Sequence, residues 1–256
     1  MADRPVMVVT GGSRGIGAGI SLHAARSGYK VCVNYASAAD RAREVVDRIR
    51  AQGGEAAAIP ADISQPDDVA RLFEEAGRAL GPVRALVNNA GIDFPSPLAD
   101  ADVGSIRRLI DTNLLGVILC TREAVRRMST RRGGNGGTIV HISSIAAVHG
   151  GLPGGSVYAA SKGGIDSFTL GIAKELSTEG IRVCAVRPGI IRTEMWQGQA
   201  SEQEVEEMGK RAVPLGRAGH VDEVAGVVVW LCSGAASYIT GAMVNVSGGR
   251  EIFVRD

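Results

Sequence analysis

Short, unbroken apolar runs alternate along this chain with longer stretches in which apolar residues recur every three or four positions. The runs at residues 6–10, 31–35, 56–60, 85–88, 138–143, 182–187 and 243–246 are rich in β-branched side chains and predict strands. The stretches at 16–27, 38–51, 67–80, 105–131, 156–178 and 221–232 predict helices between them. The strands lack polar alternation, so both of their faces must be covered. Strands of that kind separated by helices predict an α/β fold, a parallel sheet with helices on both sides. There is no internal repeat and no long Pro/Ser linker, and residues 133–137 (GGNGG) suit a loop better than a boundary. Residues 1–256 are therefore expected to form one domain.

Two segments carry more than the pattern requires. Residues 114–120 (LLGVILC) are apolar all round, which predicts burial on a second side as well as against the sheet. The helix after residue 156 carries Ala159, Ala160, Gly163, Gly164, Ser167 and Gly171, small residues that let another helix approach closely. Together they predict a homo-oligomer.

With 45% apolar residues in 256, the chain has ample material for a core, and a net charge of +1 gives no reason to expect nucleic acid or a membrane surface as partner. Cys32, Cys120, Cys184 and Cys232 are at least 48 residues apart, and each sits in an apolar run. They predict reduced core thiols in a cytoplasmic protein and no metal site. The first apolar run is too short for a signal peptide. Residues 224–249 are uncharged for long enough to raise the question of a membrane span. They contain Ser233, Ser237, Thr240, Asn245 and Ser247 and split into a helix-like and a strand-like half, which excludes one.

Candidate chemistry begins at residues 10–17, TGGSRGIG, where Gly11, Gly15 and Gly17 lie between a strand and a helix. Such a turn brings backbone close to a pyrophosphate and aims a helix N-terminus at it. An acidic residue ending the second strand would accept from the ribose hydroxyls of NAD. Here that place holds Asn34, Tyr35 and Ser37, with no carboxylate before Asp40, while Arg14 is placed to meet a 2′-phosphate. Asn34 and Ser37 would add neutral donors, so NADP(H) is expected over NAD(H). Residues 11–15 also match the G-x-S-x-G nucleophile elbow with Ser13 as nucleophile, but His23, His141, His149 and His220 have no distinguishing neighbours and His23 suits packing.

At the other end of the chain stands Tyr158, with Lys162 one helical turn on. The two share a face, and a nearby ammonium is expected to move the phenol from about 10 toward the range of a working general acid. Three further segments fit this pair: residues 88–91 (NNAG) at a strand end, Asn113 within an apolar helical stripe, and Ser143-Ser144 just upstream of Tyr158.

With TGGSRGIG, Ala61-Asp62-Ile63, NNAG, Asn113, Ser144, YAASK, Pro188-Gly189 and Gly248-Gly249 in that order, nearly the whole chain resembles the short-chain dehydrogenase/reductases. The branch it looks most like is the 3-oxoacyl-(acyl-carrier-protein) reductases, alongside relatives acting on sugars and other alcohols. The resemblance implies a Rossmann-type, doubly wound seven-stranded parallel sheet of order 3-2-1-4-5-6-7, and a homotetramer. It implies Tyr158 as proton donor, Lys162 as its modulator and ribose ligand, Ser144 as donor to the substrate carbonyl, and Asn113 as holder of a relay water. Gly11, Ser13, Arg14, Gly15, Ile16 and Gly17 would line phosphates and ribose, Asp62 and Ile63 the adenine, and Asn89, Ala90 and Gly91 the adenosine side. Pro188, Gly189, Ile191 and Thr193 would border the nicotinamide. Residues 192–216, with Met195, Trp196, Met208 and Pro214, would form a flap over a small-molecule or acyl-thioester carbonyl substrate.

Some features depart from that pattern. The Ser144–Tyr158 interval is one residue longer than is usual there, which the stretch around His149 would absorb and which keeps Ser143 as a second candidate. Arg126, Arg127, Arg131 and Arg132 offer an acidic carrier protein a place to dock, whereas Glu179 before Gly180 stands where carrier-protein reductases tend to carry a basic residue. A nucleotide sensor that has lost its chemistry is the remaining alternative, and the presence of both Tyr158 and Lys162 speaks against it.

Overall fold

The computed structural model describes residues 4–196 and 200–252; residues 197–199 of the expected flap lie outside the described residues. Seven strands form one parallel sheet in the order β3-β2-β1-β4-β5-β6-β7. They are β1 (Val6–Val9), β2 (Lys30–Tyr35), β3 (Ala56–Pro60), β4 (Val83–Asn88), β5 (Gly137–Ile142), β6 (Ile181–Pro188) and β7 (Met243–Val246). The helices are α1 (Gly15–Arg26), α2 (Ala39–Ala51), α3 (Pro66–Leu80), α4 (Val103–Ile110), α5 (Gly116–Met128), α6 (Ala146–His149), α7 (Ser156–Leu176), α8 (Glu202–Ala212) and α9 (Val221–Cys232).

Because side chains alternate across a strand, β1 sends Met7 and Val9 to one core and Val6 and Val8 to the other. The first core takes Ile20 from α1, Val45, Val46 and Ile49 from α2, and Val224 and Val228 from α9. The second takes Leu72 and Phe73 from α3, Cys120 and Met128 from α5, and Leu176 from α7. Apolar side chains buried at this depth each contribute about 1.5–3 kcal/mol. All four cysteines are free and buried. No helix among the described residues is long and apolar enough to cross a membrane.

The long helix expected over 105–131 is broken. α4 ends at Ile110, Asp111–Leu115 form a π-helical turn in which the Gly116 amide reaches the Asp111 carbonyl, and α5 begins at Gly116. The extra residue of that turn lets Asn113 point inward, where it is fully buried. Gly116 is needed beside it: a Cβ there would stand 2.8 Å from Ile63 Cδ1 and 2.9 Å from the Ile63 carbonyl oxygen. The all-round burial expected for 114–120 is also incomplete, since Leu115 stays exposed.

The order of the strands reverses between β1 and β4, the place where open parallel sheets bind ligands beyond their carboxyl ends. The loops leaving these two strands are tied together. Thr10 Oγ1 accepts from the amides of Asn89 (2.9 Å) and Ala90 (3.1 Å), and Asn89 Nδ2 donates to the carbonyls of Thr10 (3.0 Å) and Gly11 (3.1 Å).

Candidate active site

The glycine turn takes the form the sequence implies. Gly11 and Gly15 have φ of +60° and +51°, which L side chains rarely adopt. A Cβ on Gly17 would lie 2.2 Å from the Gly11 carbonyl oxygen, so the start of α1 can approach the turn only without a side chain. Arg14 is the exposed N-cap of α1, makes no side-chain cap, and has no acidic residue in the turn that follows. The positive end of the helix dipole is therefore not neutralised by the chain itself. The Ser13 hydroxyl has no protein partner among the described residues. Across the cleft, Thr193 Cβ stands 3.6 Å from where a Gly15 Cβ would be, so the turn and the segment after β6 face one another.

Asn34 does a different job from the one expected of it. It is buried, its Oδ1 accepts from the Gly11 amide at 3.2 Å, and its Nδ2 donates to the carbonyls of Ala61 (3.0 Å) and Ile59 (3.3 Å). An amide occupied in this way shapes the phosphate turn and is not available as a donor to a 2′-phosphate. Tyr35 and Ser37 remain at the rim. Asp62 accepts from the Ser64 amide at 3.0 Å and stays exposed, while the Ile63 side chain is buried under Gly116. Ile63 thus presents only its backbone to an adenine. Beyond β6, Pro188 accepts from the Ile145 amide at 3.0 Å, and Gly189 sits where a Cβ would meet Ser247 Cα at 2.7 Å. The Ile191 side chain is turned into the core.

Tyr158 and Lys162 enter from α7, Ser144 from the end of β5. The Ser144 hydroxyl acts on the Tyr158 hydroxyl, favouring its ionised form against burial, and accepts from the Ala146 amide at 3.1 Å. Ser143, the second candidate, is buried, and its hydroxyl donates to the Lys162 carbonyl at 3.2 Å. The longer Ser144–Tyr158 interval is taken up by α6 and by Gly150, Gly151 and Gly154, all at φ near +84° (83°, 85° and 83°). Lys162 is buried and its Nζ donates to the Ile142 carbonyl at 2.8 Å.

The electrostatics correct one expectation. Burial pushes the Tyr158 hydroxyl up to about 12, against the effect of Ser144 and with the help of the Asp93 charge. Lys162 does not bring it down: its ammonium is held at the Ile142 carbonyl, 5.6 Å from the centre of the tyrosine ring. Burial pulls Lys162 itself down to about 8, with the charges of Asp166 and Asp93 opposing. Asn113, the buried amide of the helical stripe, finds its partners inside the protein. Its Oδ1 accepts from the Ile92 amide at 2.8 Å, and its Nδ2 donates to the Ile92 carbonyl at 2.8 Å and to Ser161 Oγ at 3.3 Å. The amide clamps the loop after NNAG. That clamp carries Asp93, which the sequence reading passed over. Its only signal was an acid two residues after the strand-end glycine.

These residues converge at the carboxyl ends of β1, β4, β5 and β6. Comparison with known proteins then decides the family. A family model described as enoyl-(acyl carrier protein) reductase matches residues 11–251. The uncharacterized oxidoreductase YgfF of Escherichia coli is 44% identical over 247 residues, 96% of this chain and 99% of that protein. A 3-oxoacyl-(acyl-carrier-protein) reductase of Synechocystis sp. is 39% identical over 249 residues, 97% of each chain. A short-chain dehydrogenase/reductase from Serratia marcescens superposes with a TM-score of 0.89 at 34% identity, over 96% of this chain and 98% of its own. A blue fluorescent protein from a metagenomic library, solved in complex with NADPH, superposes with a TM-score of 0.88 at 35% identity, over 96% and 97%. The chain belongs to the short-chain dehydrogenase/reductase family.

The residues present fit the nicotinamide nucleotide such a dehydrogenase/reductase uses. The turn has no side chain where a pyrophosphate would lie, and the N-terminus of α1 is uncapped. No histidine supports a hydrolase reading of Ser13. His23 pairs with Asp222 at 3.0 Å, His141 is buried against Asn88 at 3.0 Å, His149 accepts from the Gly151 amide, and His220 caps α9. His23 thus bridges α1 and α9 through its contact with Asp222. A cavity bordered by Pro5, Tyr29 and Trp230 lies at the opposite, amino end of the sheet and plays no part in this site.

The basic stretch is similarly occupied. Arg126 and Arg127 pair with the buried Glu123 at 2.8 and 2.6 Å, and Arg131 donates to Thr178 at 2.6 Å and lies 3.7 Å from Glu179.

Proposed function

We propose that this dehydrogenase/reductase interconverts a ketone and a secondary alcohol with NADP(H), using Ser144, Tyr158, Lys162 and Asn113. The observation that carries the reading is the grouping of Tyr158 with Ser144, which acts on its hydroxyl, and with buried Lys162, whose Nζ is 5.6 Å from the tyrosine ring centre. When bound, the nicotinamide supplies a hydride to the carbonyl carbon. Ser144 donates to the carbonyl oxygen and stabilises its developing charge. Tyr158 gives that oxygen its proton, a step worth about 10²–10⁴ in rate when the donor is positioned. A phenol raised by burial holds its proton firmly until negative charge builds on the neighbouring oxygen, which suits a donor in the reductive direction. Lys162 restores the proton, and Asn113 fixes the loop that closes the site.

NADP(H) is favoured over NAD(H) by exposed Arg14 and by the absence of a carboxylate at the end of β2, and the NADPH-bound neighbour supports it. For the substrate, a 3-oxoacyl thioester is the first candidate, supported by relatives bearing that reductase name at 38–39% identity. The pairing of Arg126 and Arg127 with Glu123 argues for recognition of the acyl thioester itself over docking of its carrier protein. A sugar or other hydroxylated alcohol is the second candidate, favoured by the carboxylate of Asp93. Residues 192–216 are proposed as the cover over the substrate within one domain spanning 1–256. Exposed Leu115 and Leu170 would meet other copies in a cytoplasmic homotetramer.

The test is consumption of NADPH and NADH with 3-oxoacyl thioesters, sugars and small ketones. A reductase oxidises NADPH with at least one of them. Binding without turnover across the panel would mean a sensor, and ester cleavage without cofactor would mean a hydrolase.

A further inference from the structure

Asp93 lies in a segment fixed from two directions. Asn113 holds both the amide and the carbonyl of Ile92 at 2.8 Å, and the Ser96 amide donates to the Gly154 carbonyl at 3.1 Å in the loop before Tyr158. Gly91 shows how close this segment runs to the reacting groups: a Cβ there would be 3.5 Å from Lys162 Nζ. Asp93 Oδ1 is buried without any hydrogen-bond partner. A buried carboxylate oxygen left in that condition is costly, and it is found where a ligand completes the bonding. The Asp93 charge opposes the effect of burial on Lys162, so the carboxylate lies within electrostatic reach of the ammonium that the Gly91 segment approaches.

We propose that Asp93 is a substrate-binding residue whose free oxygen accepts a hydrogen bond from a hydroxyl next to the reacting carbonyl, so that the substrate is a hydroxylated ketone and its product a vicinal diol. The proposal rests on the reductase reading above and selects its second substrate class. The chemistry of the surroundings narrows the partner. A substrate cation would be repelled by the Lys162 ammonium already present. A plain acyl chain would leave the oxygen unsatisfied, and a thioester carbonyl would set lone pairs against lone pairs. A neutral hydroxyl brings the missing donor without a second charge. Burial raises the Asp93 carboxyl from its ordinary range, while the Phe94 amide and the Lys162 charge oppose that shift and favour the accepting form.

The experiment compares 3-hydroxybutan-2-one with butan-2-one, and acetoacetyl thioester beside them, on the wild type, Asp93→Ala and Asp93→Asn. NADPH titration by fluorescence establishes that each variant retains its cofactor site. The wild type is expected to prefer the hydroxyketone by roughly 10- to 100-fold in kcat/KM, a charge-assisted bond to a substrate hydroxyl. Asp93→Ala is expected to erase that preference by lowering only the hydroxyketone value, and Asp93→Asn to retain part of it. A second readout is binding: saturation-transfer NMR with NADPH present should show butane-2,3-diol on the wild type and not on Asp93→Ala. Equal losses on both ketones, or a preference that survives in Asp93→Ala, would overturn the assignment. Turnover of the thioester without discrimination between the two ketones would overturn it and leave the reductase reading standing. Failure to consume NADPH with any of the three would overturn both.

Discussion

Replacing Asn34 by alanine separates two roles that look alike from the end of β2. If its amide faced a 2′-phosphate, the substitution would weaken NADPH alone and leave the fold untouched. In the structure the amide instead joins the Gly11 amide to the carbonyls of Ala61 and Ile59, inside the protein. Alanine leaves the Gly11 N–H and the Ala61 carbonyl without their partners. Each unsatisfied buried group costs about 1–3 kcal/mol, so the expected loss is about 2–6 kcal/mol. For a chain of this length that lowers Tm by roughly 4–24 °C. The phosphate turn loses its anchor at the same time, so NADPH and NADH should weaken together, by about tenfold or more. Urea denaturation and fluorescence titration of both nucleotides read the two effects, with Ser37→Ala as the rim control that changes affinity without stability. A loss under about 1 kcal/mol combined with a defect confined to NADPH would refute the buried assignment.

Arg14→Ala should weaken NADPH by roughly 10- to 100-fold and NADH little, since it removes one charge-assisted contact to the 2′-phosphate; equal losses by fluorescence titration would contradict that. Gly17→Ala should cost about 1–3 kcal/mol and most nucleotide affinity, because its Cβ would fall 2.2 Å from the Gly11 carbonyl oxygen. Gly77→Ala, with nothing within 4 Å in the last turn of α3, should instead stabilise by about 0.5–1 kcal/mol. Lys162 offers a pH test. Folding holds it down at about 8, against 10.5 when unfolded, so between those values the unfolded chain binds the proton more. The penalty is full below pH 8, roughly 3 kcal/mol, and disappears as pH rises toward 10.5. Lys162→Met should therefore be more stable than the wild type at pH 7, with the difference shrinking by pH 10 in urea titrations. A variant equally destabilised at both pH values would show that the burial cost is already compensated.

The topology was legible because its cause is local and periodic. The runs that became β1 to β7 are apolar on both faces, and a parallel sheet between two helical layers is the arrangement that buries both. The glycine turn was legible for a similar reason, since backbone approach at Gly11 and Gly17 leaves a mark in residue type. What hid was everything that depends on where a polar side chain points. Asn34 looked like a group facing a ligand and turned out to satisfy backbone groups of neighbouring loops, whereas the stripe position of Asn113 marked it as a buried amide without naming its partner, Ile92. The π-helical turn at Asp111–Leu115 was not legible, because the stripe Ile106, Ile110, Asn113, Val117 keeps ordinary helical spacing straight through it. Tyr158 and Lys162 were found by spacing, but the sense of the phenol's shift was missed. Spacing puts the ammonium on the right face without revealing that its hydrogen bond goes to the Ile142 carbonyl or that burial outweighs its charge. Asp93 escaped because its importance lies in a missing partner, which only coordinates can show.

The account turns on Tyr158 as the proton donor beside a bound nicotinamide. The most direct measurement pairs NADPH affinity with single-turnover NADPH oxidation in the wild type and in Tyr158→Phe, using whichever ketone the panel finds. The account predicts affinity within about twofold and a rate lower by about 10²-fold or more, the scale of a lost general acid. Oxidation by Tyr158→Phe at the wild-type rate would contradict it.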